Sequence, residues 1–125
     1  MPDQPSSPSL VPAARRRYAI VGLGSRRELY QDGIEKTHAR WAELVGVCDA
    51  NAGRVELART RSARNGAVVP PGYGAADFDR MLRECRPDVV IVTTADAAHH
   101  HYLVRTMEAG CDVITEKPMT TDAPQ

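Results

Sequence analysis

A run of four residues, Tyr18-Ala19-Ile20-Val21, ends in Gly22-Leu23-Gly24 and passes into Ser25-Arg26-Arg27. A short, partly β-branched run bounded by glycine predicts a strand, and the residues after it can open a helix. Glycines at such a corner let the backbone turn sharply and approach a pyrophosphate closely. The free N–H groups of the following helix then meet the phosphates with the positive end of its dipole. The third glycine of the G-x-G-x-x-G spacing falls at position 27, where Arg27 stands. That glycine serves close helix–strand packing, so its replacement bears on the packing more than on the phosphate turn. An ordinary strand–turn–helix corner is the plain alternative.

The rest of the chain repeats the strand–helix alternation. Leu29, Ile34 and Trp41 predict one face of a helix running to about residue 41, weakened in its middle by Gly33. Leu44 to Asp49 reads as a second strand ending in an acid, followed by a helix with Val55, Leu57 and Ala58 apolar. A short third strand is expected at Val68-Val69, before the loop Pro70-Pro71-Gly72-Tyr73-Gly74. Phe78, Met81, Leu82 and Cys85 share one helix face, and Pro87 ends that helix. Asp88 to Thr93 is a continuous β-branched run, as a parallel strand covered on both faces requires. Leu103, Val104 and Met107 mark a further helix stopping at Gly110, and Cys111 to Thr115 forms a fifth strand. Right-handed crossovers then build an α/β, Rossmann-type doubly wound parallel sheet in a single domain, residues 15–125. Residues 1–14, with four of the nine prolines, read as a disordered tail.

The formal net charge is zero, which argues against a nucleic-acid or membrane-surface binder. No apolar run approaches the ~18 residues of a membrane span. Arg15-Arg16-Arg17 precedes an apolar stretch that stops after Leu23, too short for an export signal. Three cysteines without a C-x-x-C pair suit buried free thiols in a reducing compartment, and a cytoplasmic location is expected.

Asp49 closes the second strand, where an acid accepts hydrogen bonds from adenosine ribose hydroxyls and repels a 2′-phosphate. NAD is therefore the expected cofactor, with NADP as the alternative because Arg26, Arg27 and Arg54 offset that repulsion. Lys117 ends the fifth strand region, on the side where ligands of parallel sheets bind. Its ammonium can polarise a substrate hydroxyl or carbonyl as hydride moves. A surface lysine is the alternative reading. His99-His100-His101 invites a metal, but consecutive helical residues point about 100° apart and cannot converge on one ion, so no metal is expected.

Thr94-Ala95-Asp96-Ala97-Ala98-His99, followed by Met107-Glu108-Ala109-Gly110 and by Thr115-Glu116-Lys117-Pro118, resembles the Gfo/Idh/MocA family. That family of glucose–fructose oxidoreductases and inositol dehydrogenases shows Thr-Pro-Asn-x-x-His, then a helix ending Glu-Ala-Gly, then a strand ending Glu-Lys-Pro. Departures are Arg27 for the third glycine, Ala95 for the proline and Asp96 for the asparagine. The resemblance implies that Gly22, Gly24 and Ser25, with Arg26 beside them, line the pyrophosphate and that Asp49 holds the ribose. It implies Thr94 and His99 near the nicotinamide, Glu116 at the cofactor, and Lys117 reaching both cofactor and substrate as the catalytic group. The function implied is hydride transfer to or from a sugar, polyol or related hydroxy compound, its small-molecule partner, in a full-length form that can be a homo-oligomer. Family enzymes add a substrate domain after Lys117. The chain is therefore expected to be the cofactor half of a longer enzyme, inactive alone. A non-catalytic dinucleotide-binding module or a truncated fragment is the alternative; a glycine-rich methyltransferase leaves Glu116-Lys117-Pro118 without a purpose.

Overall fold

The computed structural model describes residues 15–24, 26–94 and 96–115, the side chains of 96–98 excepted. Its elements are β1 (Arg16–Val21), α1 (Arg27–Asp32), a π-helical turn (Gly33–Thr37), β2 (Ala42–Cys48), α2 (Ala52–Arg64) and β3 (Gly72–Tyr73). A 3-10 turn (Ala75–Asp77), α3 (Phe78–Cys85), β4 (Val89–Val92), α4 (Asp96–Glu108) and β5 (Asp112–Thr115) follow. All described pairings are parallel, in the order β3-β2-β1-β4-β5. Among the described residues the first strand thus lies in the middle of the sheet, and the chain builds outward to one side and crosses back to build the other. This leaves a topological switch between β1 and β4, where ligands of such sheets bind beyond the carboxyl ends.

Side-chain alternation divides the core into two layers. Ala19, Val21, Val90 and Val92 pack with Phe78, Met81 and Cys85 of α3 and Tyr102 of α4. Ile20 and Ile91 point the other way, toward Ile34, Val55 and Ala58. In β2 a bulge falls at Val45, because Tyr18 pairs with Leu44 and Ala19 with Gly46. Leu44 and Val47, three apart, consequently share the α2 side.

Three local expectations are corrected. The first helix breaks at Gly33 into a π turn, with His38 N–H donating to the Gly33 carbonyl at 2.8 Å. Leu29 and Trp41 are 66% and 64% exposed, while the inward face carries Arg27, Gln31, Ile34 and Glu35. α2 supplies partners to Gln31 and Glu35 on that face, while Arg27 Nε is buried without one. Gln31 Nε2 donates to the Ala58 carbonyl at 2.8 Å and to Ser62 Oγ at 2.9 Å, and Ser62 donates to Glu35 Oε2 at 2.6 Å. Arg27, standing where a glycine was expected, lies along this seam and donates from Nη1 to Gln31 Oε1 at 3.1 Å. Burial pushes its guanidinium below its ordinary value.

The third strand is Gly72–Tyr73, not Val68-Val69, and Val68 is exposed. From the second proline onward the chain offers alternate carbonyls to β2 and the residue after it: Pro71 accepts from Val47 N–H and Tyr73 from Asp49 N–H. Leu57 and Met107 face outward; Val55, Ala58 and Ser62 fill the inner side of α2, and Tyr102 and Thr106 that of α4. On the α1–α2 side, Tyr18, Leu29, Tyr30, Trp41 and Ile114 border an apolar groove of about 430 Å³. Among the described residues no helix is long and apolar enough to cross a membrane.

Candidate functional site

The carboxyl ends of β1, β2 and β4 surround a cleft of about 320 Å³, bounded by the Gly22–Gly24 turn, Asp49, Arg54, Thr94 and Tyr102. A larger hollow of about 500 Å³ lies at the opposite end of the strands, beside Glu35, Glu43 and Pro70. There Arg15 and Arg17 already face Glu43 at 3.8 and 3.6 Å. The smaller cleft is the candidate site because it gathers the glycine turn and the strand-end acid at the topological switch.

Gly22 makes the turn possible. Its φ is +89°, and a Cβ there would come within 2.7 Å of both Thr94 Cγ2 and Thr94 N. The turn is held on two sides. Gly22 N–H donates to the Cys48 carbonyl at 2.9 Å, and the Thr93 hydroxyl donates to the Gly22 carbonyl. Gly24 differs, since a Cβ there would meet nothing within 4 Å. The turn is thus packed against β4 behind Gly22 and open in front of Gly24.

Asp49 is 9% exposed and joins β2 to this turn. Its Oδ2 accepts from Leu23 N–H at 2.6 Å and its Oδ1 from Asn51 N–H at 2.7 Å. Each carboxylate oxygen has acceptor capacity beyond that one bond, and Asp49 borders the cleft. Asn51 caps α2 by accepting from Arg54 N–H at 3.1 Å, which sets Arg54 at the rim beside Asp49. Cys48, immediately before the acid, is fully buried, and burial first, then the Asp49 charge, pushes its thiol up to about 12. It is no nucleophile. Burial likewise raises the Tyr102 phenol above its ordinary value, with the charges of Cys48 and Asp49 adding to the effect.

On the β4 side, Thr94 Oγ1 is buried without a protein partner. His99, in the first turns of α4, approaches the Thr94 carbonyl with Nδ1 at 2.8 Å and Thr115 Oγ1 with Nε2 at 2.6 Å. His101 stacks edge-on with Tyr102, centroids 5.3 Å apart. Among the described residues no three His, Cys, Asp or Glu side chains gather as metal ligands.

The structure therefore brings together Gly22, Gly24, Asp49 and Thr94, with His99 behind Thr94. Arg26 lies on the exposed side of the first helical turn. Ser25, Glu116 and Lys117 lie outside the described residues. Sequence reasoning missed Thr93 and Tyr102. The β-branched run ending at Thr93 marked a strand, but the bond to the Gly22 carbonyl depends on strand register. Tyr102 stands three residues after His99, one helical turn on, and that spacing was the available signal. A dinucleotide fits what is present: an open approach at Gly24, an acid beside it, and an orphan hydroxyl across the cleft.

Residues 16–125 match the family model described as an oxidoreductase family with an NAD-binding Rossmann fold. The YteT protein of Bacillus subtilis is 37% identical over 107 residues, covering 85% of this chain and 24% of its own length. The D-glucoside 3-dehydrogenase of Escherichia coli is 30% identical over 112 residues, covering 82% of this chain and 27% of its own. Among solved structures, the WlbA dehydrogenase of Chromobacterium violaceum, in complex with NADH and UDP-GlcNAcA, is 34% identical with a TM-score of 0.66. That match covers 84% of this chain and 28% of the other. The chain spans about a quarter of the length of the curated relatives it matches.

Proposed function

The chain belongs to the Gfo/Idh/MocA oxidoreductase family, with its NAD-binding Rossmann fold, and on that premise we propose that it serves as the cofactor-binding half of a sugar or polyol dehydrogenase. The observation that carries this reading is the Gly22–Gly24 turn, tied to Asp49 through the Leu23 N–H at 2.6 Å and open in front of Gly24. Relatives named for inositol 2-dehydrogenase and D-glucoside 3-dehydrogenase activity support the substrate class.

In this reading the turn receives the pyrophosphate, with Ser25 and Arg26 beside it, and the free lone pairs of Asp49 accept from the adenosine ribose hydroxyls. Thr94 and His99 stand on the nicotinamide side, where Thr94 offers its unsatisfied hydroxyl. The cofactor supplies hydride acceptance and donation. Glu116 contacts the cofactor region. Lys117, two residues beyond the end of β5, reaches the substrate and polarises its hydroxyl or carbonyl while a proton moves. A small hydroxy compound is the partner, and the cytoplasm the compartment.

Calorimetric titration of the chain with NADH and with NADPH tests the reading. NADH is expected to bind more tightly, because the Asp49 carboxylate faces the position of a 2′-phosphate. Tighter binding of NADPH would overturn the cofactor preference, and absence of binding by either would overturn the function.

A further inference from the structure

His99 uses both ring nitrogens within the protein. The Thr94 carbonyl, 2.8 Å from Nδ1, can only accept, so Nδ1 carries the hydrogen. In the neutral ring Nε2 is then an acceptor, and the Thr115 hydroxyl at 2.6 Å donates to it. The chain of bonds runs from the turn after β4, through α4, to the last residue of β5. β5 is an edge strand among the described residues, held on one side only, by β4. Val92 is the register partner of Thr115, so the imidazole closes the sheet just where those two strands end.

The adenosine side of the cleft is marked by Asp49 on β2 and the pyrophosphate turn by Gly22 after β1. A dinucleotide crossing the switch point therefore lays its other half over β4 and β5. We propose that His99 is a positioning residue, which clasps the end of β5 to the Thr94 turn and so fixes the wall against which the nicotinamide half lies. The inference rests on the cofactor reading above. His99 then acts through Thr94 and Thr115, with no ring nitrogen left over for the cofactor.

The test uses the chain with Thr115→Val, which removes the exposed hydroxyl and keeps a β-branched strand residue, and Thr115→Ser, which keeps the hydroxyl. Two readouts are taken: the nitrogen-15 resonances of the His99 ring, and calorimetric affinities for NADH and for ADP-ribose, which lacks the nicotinamide. Thr115→Val is expected to move the Nε2 resonance toward that of an unbonded ring nitrogen. It should also weaken NADH about 2–10-fold, the effect of one lost hydrogen bond, and leave ADP-ribose unchanged, with Thr115→Ser restoring both readouts. An unchanged ring spectrum would show that the bond is not made. Equal loss for both ligands, or no loss for NADH, would show that the bond does not serve the nicotinamide half. If the wild-type chain binds neither ligand, the cofactor reading falls and the positioning role with it, while the ring spectrum still reports the bond separately.

Discussion

Exchanging Gly22 and Gly24 for alanine, one at a time, separates the two tasks of the turn. At Gly22 the φ of +89° is strained for any residue with a Cβ, which costs about 1–3 kcal/mol. The added methyl also meets backbone, Thr94 N at 2.7 Å and Thr93 C at 2.9 Å, which cannot swing aside as a side-chain end would. Overpacking of this kind costs a further ~1–3 kcal/mol. The sum, roughly 2–6 kcal/mol, is a large share of the ~5–15 kcal/mol that a domain commands. For about 100 ordered residues it lowers Tm by roughly 10–30 °C. At Gly24 the methyl meets nothing within 4 Å. Stability should stay within about 0.5 kcal/mol of wild type, while the methyl occupies the approach a phosphate needs, and NADH affinity should fall about tenfold or more. Melting followed by circular dichroism and titration with NADH read the two effects. A Gly22→Ala chain melting with the wild type, or a Gly24→Ala chain binding NADH as the wild type does, refutes the division of labour.

Asp49→Asn sets an amide nitrogen against one of the two N–H donors that Asp49 now accepts from; it should cost about 1–3 kcal/mol in urea unfolding and narrow the gap between NADH and NADPH. Asp32 is held down to about 2, first by the hydrogen bonds from Arg61. Its folded value lies below the unfolded one, so its contribution is present above about pH 4 and is lost as pH falls toward 2. The melting-temperature difference between wild type and Asp32→Asn should accordingly be widest at neutral pH and close across that window; a constant difference would refute the pairing. Cys48, buried and with its thiol pushed up to about 12, should resist iodoacetamide at pH 8 in the native chain. Mass spectrometry showing Cys48 alkylated at the rate of an exposed thiol would contradict its placement.

Four of the five described strands were legible because β1, β2, β4 and β5 are apolar runs bounded by glycine, proline or acid. β3 was not, since two residues held by the carbonyls of Pro71 and Tyr73 leave no hydrophobic pattern. The inward face of α1 escaped for a related reason. Apolar periodicity pointed to Leu29 and Trp41, whereas the helix turns Gln31 and Glu35 inward onto Ser62, a match that only α2 reveals. At the candidate site, the places of Gly22 and Asp49 could be read, because a sharp turn needs backbone freedom and the acid ends a strand. The bond from the Leu23 N–H to Asp49 depends on the spacing of two strands and could not.

The seam beneath Arg27 constrains how such a chain can change over generations. Arginine at this position is 6% exposed and leans on Gln31, whose amide in turn leans on Ala58 and Ser62. Without the acceptor at position 31, the buried Arg27 guanidinium would lose the one side-chain hydrogen bond it makes to Gln31, at a cost in folding free energy. Glycine at 27 would in turn strip Gln31 Oε1 of its donor and leave a void between two helices. Positions 27 and 31 are thus coupled through one hydrogen-bond ladder, and a change at either is felt at Ala58 and Ser62 on α2.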